Sequence, residues 1–333
     1  MRRRVAAAAA VLSVVVAGAG AAGAKASFPG GNGRIAYSSF AADGKPRAIH
    51  TMSARGKRDR RLTRRGSARN PAWSPNGRLI AFDRARADGD GPSRLNVMKA
   101  NGRRKRRVRT RRLDARNPSW SPDARRLVFQ GCRRNSECED DSIFVVGRRG
   151  RGLRQIAAEG DDPVWAPNGR WIAYAGKLRD DGCRTIILLR PSGRRQHAVL
   201  SDNRDENGFC QGASGVDFAP NSRELVYLAV RARRSGSFPD PVTGESHPFY
   251  TYDQVMYTVR LNGRGRRLVM SRALEDFEYL IAPFAWSPDG DWLLWRDDRG
   301  TFVSRPDGGG ERRITGASGG GGDYAWQPRR RCR

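Results

Sequence analysis

Asn70-Pro-Ala-Trp-Ser-Pro-Asn-Gly77 is the stretch that decides the fold, because the chain repeats it. It returns as Asn117-Pro-Ser-Trp-Ser-Pro-Asp-Ala124, Asp162-Pro-Val-Trp-Ala-Pro-Asn-Gly169, Val216-Asp-Phe-Ala-Pro-Asn-Ser222 and Phe284-Ala-Trp-Ser-Pro-Asp-Gly290, with Tyr324-Ala-Trp-Gln-Pro328 as a truncated sixth copy. The aromatic anchors Trp73, Trp120, Trp165, Phe218, Trp286 and Trp326 stand 47, 45, 53, 68 and 40 residues apart. That spacing suits one four-stranded blade per repeat.

Each phrase has a mechanical meaning. Pro pre-sets φ for a turn, Asn or Asp caps it through its side chain, and Gly accepts positive φ. A strand should follow, and strand-like runs do follow at 78–82, 126–129, 170–174, 224–227 and 292–295. Residues 34–37 form a sixth such run whose Trp-bearing partner is missing upstream; the orphan Trp326 strand supplies it from the other end of the chain. Third strands read at 49–52, 95–98, 143–146, 185–189, 255–259 and 301–303, and fourth strands at 61–63, 107–110, 154–157, 198–200, 267–270 and 313–315. Between them lie hairpin signals such as Ala100-Asn-Gly102, Pro191-Ser-Gly193 and Leu261-Asn-Gly263. The reading is an all-β, six-bladed propeller of four-stranded blades, its ring closed by the C-terminal strand.

The Trp-Ser-Pro-Asp-Gly phrase is followed by an Ile-Ala-Phe-like strand, a strand ending in Asn-Gly, and a Leu-Thr-like strand (Arg61-Leu-Thr63, Arg313-Ile-Thr315). This order resembles the TolB-like beta-propeller repeat, a WD-repeat-like architecture, over about residues 28 to 328. The resemblance implies a six-bladed propeller without the α/β domain that precedes the propeller in TolB itself. Blade 5, with Phe218 and Ser222, departs most from the pattern.

Residues 1–26 read as a signal peptide. Met1 to Arg4 give a basic start, Val5 to Gly23 are apolar and small, and Ala24-Lys25-Ala26 is an A-x-A cleavage site. An uncleaved anchor is the rival, since the apolar run approaches spanning length. The expected organisation is signal peptide 1–26, propeller 27–328 and basic tail 329–333, in a secreted, periplasmic or envelope-facing protein with no membrane span after cleavage. It is read as a monomer.

Strand order assigns loops to faces. In an up-and-down blade, second-to-third loops and blade-to-blade loops share one face, and the other turns share the opposite one. The long insertions fall on the first face, so ligand contacts are expected there, from Phe238, His247, Phe249, Tyr250, Tyr252 and Asp253 in 231–254 and from Tyr279 beside it. Disulfides are expected between Cys132 and Cys138 and between Cys183 and Cys210, leaving Cys332 in the tail.

The formal charge of +29 falls to +25 once Arg2, Arg3, Arg4 and Lys25 leave with the signal. The basic residues are 57 Arg and 6 Lys, a bias that GC-rich codon usage also produces. The long-loop face is near neutral. The third-to-fourth turns and outermost strands carry only Asp59, Asp307 and Glu311 among acids, so the excess lies on the rim and the opposite face. Arg103, Arg104, Lys105, Arg106 and Arg107 form its densest run, suited to an anionic polymer or to protecting edge strands. Export and the lack of interleaved aromatics argue against a nucleic-acid partner.

Catalytic patterns are weak. Gly316-Ala-Ser318-Gly-Gly320 matches a nucleophile-elbow expression but lies in a Gly-rich loop rather than a strand-to-helix turn. Asp202-Asn-Arg-Asp205-Glu206-Asn207-Gly208 has oxygen ligands without EF-hand spacing. His50, His197 and His247 are scattered, so no metal or other cofactor is expected. Asp161, Asp162, Asp180 and Asp181 are available acids that nothing in the sequence brings together. The expected function is a non-catalytic scaffold for a protein or envelope ligand. The alternatives are a propeller enzyme acting on polysaccharide or peptide, and polyanion binding through the Arg-rich outer strands.

Overall fold

A computed structural model of the chain describes residues 27–41, 46–64, 66–85, 91–133, 141–178, 183–200, 204, 208, 210–239, 246–274, 282–297, 299–316 and 321–329. These residues form six antiparallel four-stranded sheets and no helix, so none of them forms a helix long and apolar enough to cross a membrane. Blade 1 is β24 (Gly321–Arg329), β1 (Gly31–Phe40), β2 (Pro46–Met52) and β3 (Arg60–Arg61), in that spatial order. Its innermost strand thus comes from the far end of the chain, as the orphan Trp326 required, and Trp326 pairs with Ile35.

The other blades follow the chain. Blade 2 is β4 (Ala68–Trp73), β5 (Leu79–Arg84), β6 (Arg94–Lys99) and β7 (Arg106–Arg107). Blade 3 is β8 (Leu113–Trp120), β9 (Arg126–Arg133), β10 (Ser142–Gly147) and β11 (Arg154–Ala157). Blade 4 is β12 (Asp161–Trp165), β13 (Ile172–Gly176), β14 (Thr185–Leu189) and β15 (His197–Ala198). Blade 5 is β16 (Ser214–Phe218), β17 (Glu224–Pro239), β18 (Ser246–Arg260) and β19 (Arg267–Leu274); blade 6 is β20 (Ala282–Trp286), β21 (Leu293–Asp297), β22 (Gly300–Ser304) and β23 (Arg312–Gly316).

All six aromatic anchors are buried, at 3% exposure or less. Five of them end their innermost strands, Trp326 lies three residues before the end of β24, and all pack between sheets, because each sheet has two apolar faces and each face must find a neighbour. Trp326 of blade 1 clusters with Ala285, Leu294 and Val303 of blade 6, and Trp165 of blade 4 with Val128 and Val145 of blade 3. The core is therefore a set of apolar layers between consecutive blades, running round the ring. Polar bonds reinforce some layers: the Trp120 indole N–H donates to the Ala72 carbonyl of the preceding blade at 3.0 Å.

Two faces result. The Trp-bearing turns and the third-to-fourth turns meet at one end of each blade, where Ala100 N donates to Arg78 O, Arg148 N to Arg125 O and Leu261 N to Arg223 O. We call this end the turn face and the other the long-loop face.

Candidate binding face

The long-loop end of the innermost strands is built on one backbone device. Asn70, Asn117, Asp162 and Asp323 take left-handed φ values of 54°, 51°, 51° and 58°, and Gly215 takes 52° in blade 5. Asn and Asp tolerate this region better than other side chains do. The pairing register slips at each of these points, between Arg69 and Ala72, Arg116 and Ser119, Asp161 and Val164, and Ser214 and Val216. Pro71, Pro118 and Pro163, which follow Asn70, Asn117 and Asp162, lack an N–H and are tolerated because they sit in bulges on edge strands.

The bulges turn backbone N–H groups toward the preceding blade. Asn70 N donates to Ser38 Oγ (3.2 Å) and Asp323 Oδ2 (3.1 Å), both in blade 1. Asn117 N donates to Asp83 Oδ1 of blade 2 (3.2 Å), and Asp162 N donates to Gln130 Oε1 of blade 3 (2.9 Å). Asn117 Nδ2 reaches both Gln130 Oε1 (2.9 Å) and Asp162 Oδ1 (2.7 Å). A buried seam of hydrogen bonds thus stitches blades 1 to 4 together at this end.

Outside the seam runs a line of charges. Arg69 Nε lies 3.0 Å from Asp83 Oδ2, whose side chain is fully buried, and Arg69 Nη2 donates to Ser93 Oγ at 3.3 Å. Ser93 N donates to Asp114 Oδ1 (2.9 Å); Arg116 then lies 3.7 Å from Asp114 and 3.3 Å from Asp141. Gln130 Nε2 donates to Asp141 Oδ2 at 2.8 Å, and Arg184 bonds Asp161 one blade on. Burial pushes the Asp114 and Asp141 carboxyls above the usual carboxylate range; Arg116 opposes the shift at both, and Asp161 adds to it at Asp141. Asp83 raises the pKa of Arg69. The same rule holds across blades 5 and 6: buried Asp253 is held by Arg231 (3.1 Å) and Arg233 (3.6 Å), and buried Asp297 by Arg299 (2.6 Å) and Arg272 (3.7 Å). Acid and base alternate along this line.

Six of the seven expected ligand residues fall on β17 and β18. Residues 231–239 and 246–254 are paired strand rather than loop: β17 has 16 residues where β5 has 6, and it pairs with β18 from Glu224↔Arg260 out to Pro239↔Ser246. Pairing satisfies backbone groups that a loop of that length would leave to water. Phe238 stands opposite His247, Gly236 opposite Phe249, Arg234 opposite Tyr250 and Ala232 opposite Tyr252. Tyr250 and Tyr252 are half-buried, and Asp253 is buried in its ion pairs. The side chains of Phe238, His247 and Phe249 lie outside the described residues, as do Tyr279, Asp180, Asp181, Asp202, Asp205, Glu206, Asn207, Ser318, Cys332 and the segment 1–26.

Cys183 and Cys210 form a disulfide with a Cα separation of 5.3 Å, closing 27 residues at this face. Cys132 is also disulfide-bonded; its expected partner Cys138 lies outside the described residues. Arg103, Arg104, Lys105, Arg106 and Arg107 are all exposed, on the turn after β6 and on β7. Partial burial, then Arg84 and Arg64, lowers the pKa of Lys105; partial burial, then Arg148 and Arg149 of blade 3, lowers that of Arg106. Cations thus crowd across the gap between blades 2 and 3. Among the described residues, no three His, Cys, Asp or Glu side chains gather as a metal site.

The charged line itself is what residue reading missed. Its one sequence signal is Arg69-Asn-Pro71 recurring as Arg116-Asn-Pro118, a basic residue set before each bulge.

A family model described as the TolB beta propeller domain matches residues 13–238. Among solved structures, TolB from Acinetobacter baumannii superposes with a TM-score of 0.62 at 14% identity, covering 89% of this chain and 67% of that one. Putative TolB from Agrobacterium tumefaciens gives 0.57 at 17% identity, covering 79% and 90%. An oligogalacturonate lyase in complex with manganese gives 0.55 at 14% identity, covering 88% and 78%. No curated protein matches the chain in sequence. At these identities the structures share the fold alone, whereas the family model spans more than half of the sequence and carries the assignment: this chain belongs to the TolB beta-propeller family.

Proposed function

We propose that the protein is an exported, non-catalytic scaffold that binds a protein or envelope ligand over its long-loop face. The observation that supports this most is the line Arg69, Asp83, Asp114, Arg116, Asp141, Arg184 and Asp161, held on strand ends by the bulged inner strands. Charges fixed on rigid elements before a partner arrives give specificity and orientation at little ordering cost. The β17–β18 hairpin stands beside it with Tyr250 and Tyr252, the amphipathic residue type favoured at interfaces. The Cys183–Cys210 disulfide suits an oxidising compartment, in keeping with a signal peptide at 1–26.

The test is capture from envelope extract by the oxidised protein, identification of what is bound, and titration of that molecule against variants. Deleting 235–250, or Arg116→Gln, is expected to weaken binding at least tenfold while the thermal melt stays cooperative. Unchanged binding in both variants would sink the reading.

One observation favours an enzyme acting on envelope polysaccharide as the second reading. Asp114 and Asp141 flank Arg116 with raised pKa values, as a general acid requires, and the oligogalacturonate lyase shares the fold. Glycan turnover abolished by Asp114→Asn or Asp141→Asn would establish it in place of the scaffold.

A further inference from the structure

The turn face repeats a charge pattern as regularly as it repeats the fold. In each third-to-fourth turn the residue after the turn glycine accepts the hydrogen bond that closes the turn: Lys57, Arg103, Arg151, Arg194 and Arg264 in blades 1 to 5, and Gly309 in blade 6. The five cationic side chains are all exposed. Nearer the axis, the residue two beyond the capping Asn or Asp of each Trp-bearing turn is Arg78, Arg125, Arg170 and Arg223 in blades 2 to 5, and Asp291 in blade 6. These four Arg are exposed as well. None of the nine cations takes part in an ion pair among the described residues, in contrast to Arg69, Arg116, Arg184 and Arg231 on the opposite face. Codon bias spreads Arg along a sequence; it does not select two positions of a turn.

An independent observation concerns where the chain enters the ring. Ser27 Oγ bonds the Trp286 carbonyl, Phe28 is buried, and Gly30 N donates to Pro288 O at 3.0 Å. Residues Pro29 and Gly30 therefore sit on the turn face. There they line a cavity of about 650 Å³ on the ring axis with Pro75, Pro220, Pro288 and Arg329. In the sequence, the apolar run at residues 5–23 comes just before the point where the chain enters the ring on this face.

We propose that the turn face docks on an anionic lipid surface, with blades 2 to 5 as the contact sector and the long-loop face turned away from the membrane. Two arcs of exposed cations on one face, running through blades 2 to 5, match a plane of phosphate headgroups. The apolar run that precedes Ser27 in the sequence favours a bilayer over a soluble polyanion as the occupant of this face.

The ring closes within residues 27–329, so a chain beginning at Ser27 tests the proposal free of the apolar segment. Its sedimentation is measured with vesicles of phosphatidylcholine alone and of phosphatidylcholine mixed with phosphatidylglycerol, at low and high salt. Binding is expected only to the anionic vesicles, and to fall with salt. The quadruple variant Arg78→Gln, Arg125→Gln, Arg170→Gln, Arg223→Gln should lose about fivefold per charge, hence roughly a hundredfold or more. A control that removes the same charge from the outermost strands, Arg60→Gln, Arg106→Gln, Arg154→Gln, Arg267→Gln, should lose much less. No binding to anionic vesicles, equal loss in the two variants, or preference for a soluble anionic polymer such as heparin over the vesicles would each overturn the proposal. Near-ultraviolet circular dichroism confirms that both variants keep their packed Trp residues.

Discussion

Asn117 Nδ2 donates to Asp162 Oδ1 across 2.7 Å and so joins the innermost strands of two successive blades. Asn117→Asp removes that donor and sets a second carboxylate against Asp162 in a buried site. The new carboxyl would have its folded-state pKa raised by burial and by its neighbour. Stability is then retained below the unfolded-state value and lost as pH rises through the folded-state value. The expected cost at neutral pH is about 2–3 kcal/mol, shrinking on acidification, as measured by urea unfolding at two pH values.

Asp114 and Asp141 already carry raised folded-state pKa values. They take up protons before ordinary carboxylates do and so favour the native state as pH falls toward the carboxylate range, against the general loss from other acids. Asp114→Asn with Asp141→Asn deletes this contribution. The melting temperature of the double variant should fall more steeply than that of the parent below about pH 5.

The third-to-fourth turns also lock blades together. A Cβ added at Gly263 would lie 2.2 Å from the Val199 carbonyl of blade 4, on a backbone with φ of 76°, whereas one at Gly290, φ of 88°, would meet nothing within 4 Å. Gly290→Ala thus reports the backbone cost alone, about 1 kcal/mol. Gly263→Ala should cost about 1–3 kcal/mol more by chemical denaturation, since backbone must move.

The Cys183–Cys210 bridge closes 27 residues. Chain entropy assigns it about 3–4 kcal/mol. Cys183→Ser with Cys210→Ser should lower the unfolding free energy by that amount, and reductant should then leave the variant's stability at this site unchanged.

The fold was legible because the Trp-Ser-Pro-Asn-Gly turns fall once per blade, and because the truncated copy at Trp326 answered the unpaired strand at residues 34–37. The length of β17 and β18 was not. Gly236, Pro239 and Pro248 interrupt the run and read as loop, yet Arg231 to Arg234 and Tyr250 to Asp253 alternate with period two and pair in register. The candidate site was less legible still. Arg69, Asp83, Ser93, Asp114 and Asp141 are far apart in the chain; strand pairing inside blade 2 brings Arg69 to Asp83, and the stacking of blade 2 on blade 3 brings Ser93 to Asp114. Tandem repeats announce themselves in one dimension; ion pairs between strands do not.

Arg34 N donates to Gln327 Oε1 across 293 positions of sequence, at the seam where β24 completes the first blade. A chain that emerges from a ribosome amino end first must hold β1 with a bare edge, and the apolar faces of Ile35 and Tyr37 uncovered, until residues 321–329 appear. Strand β24 is therefore a timing element: the other five blades need nothing beyond residue 316, but the circle cannot shut before β24 has been made.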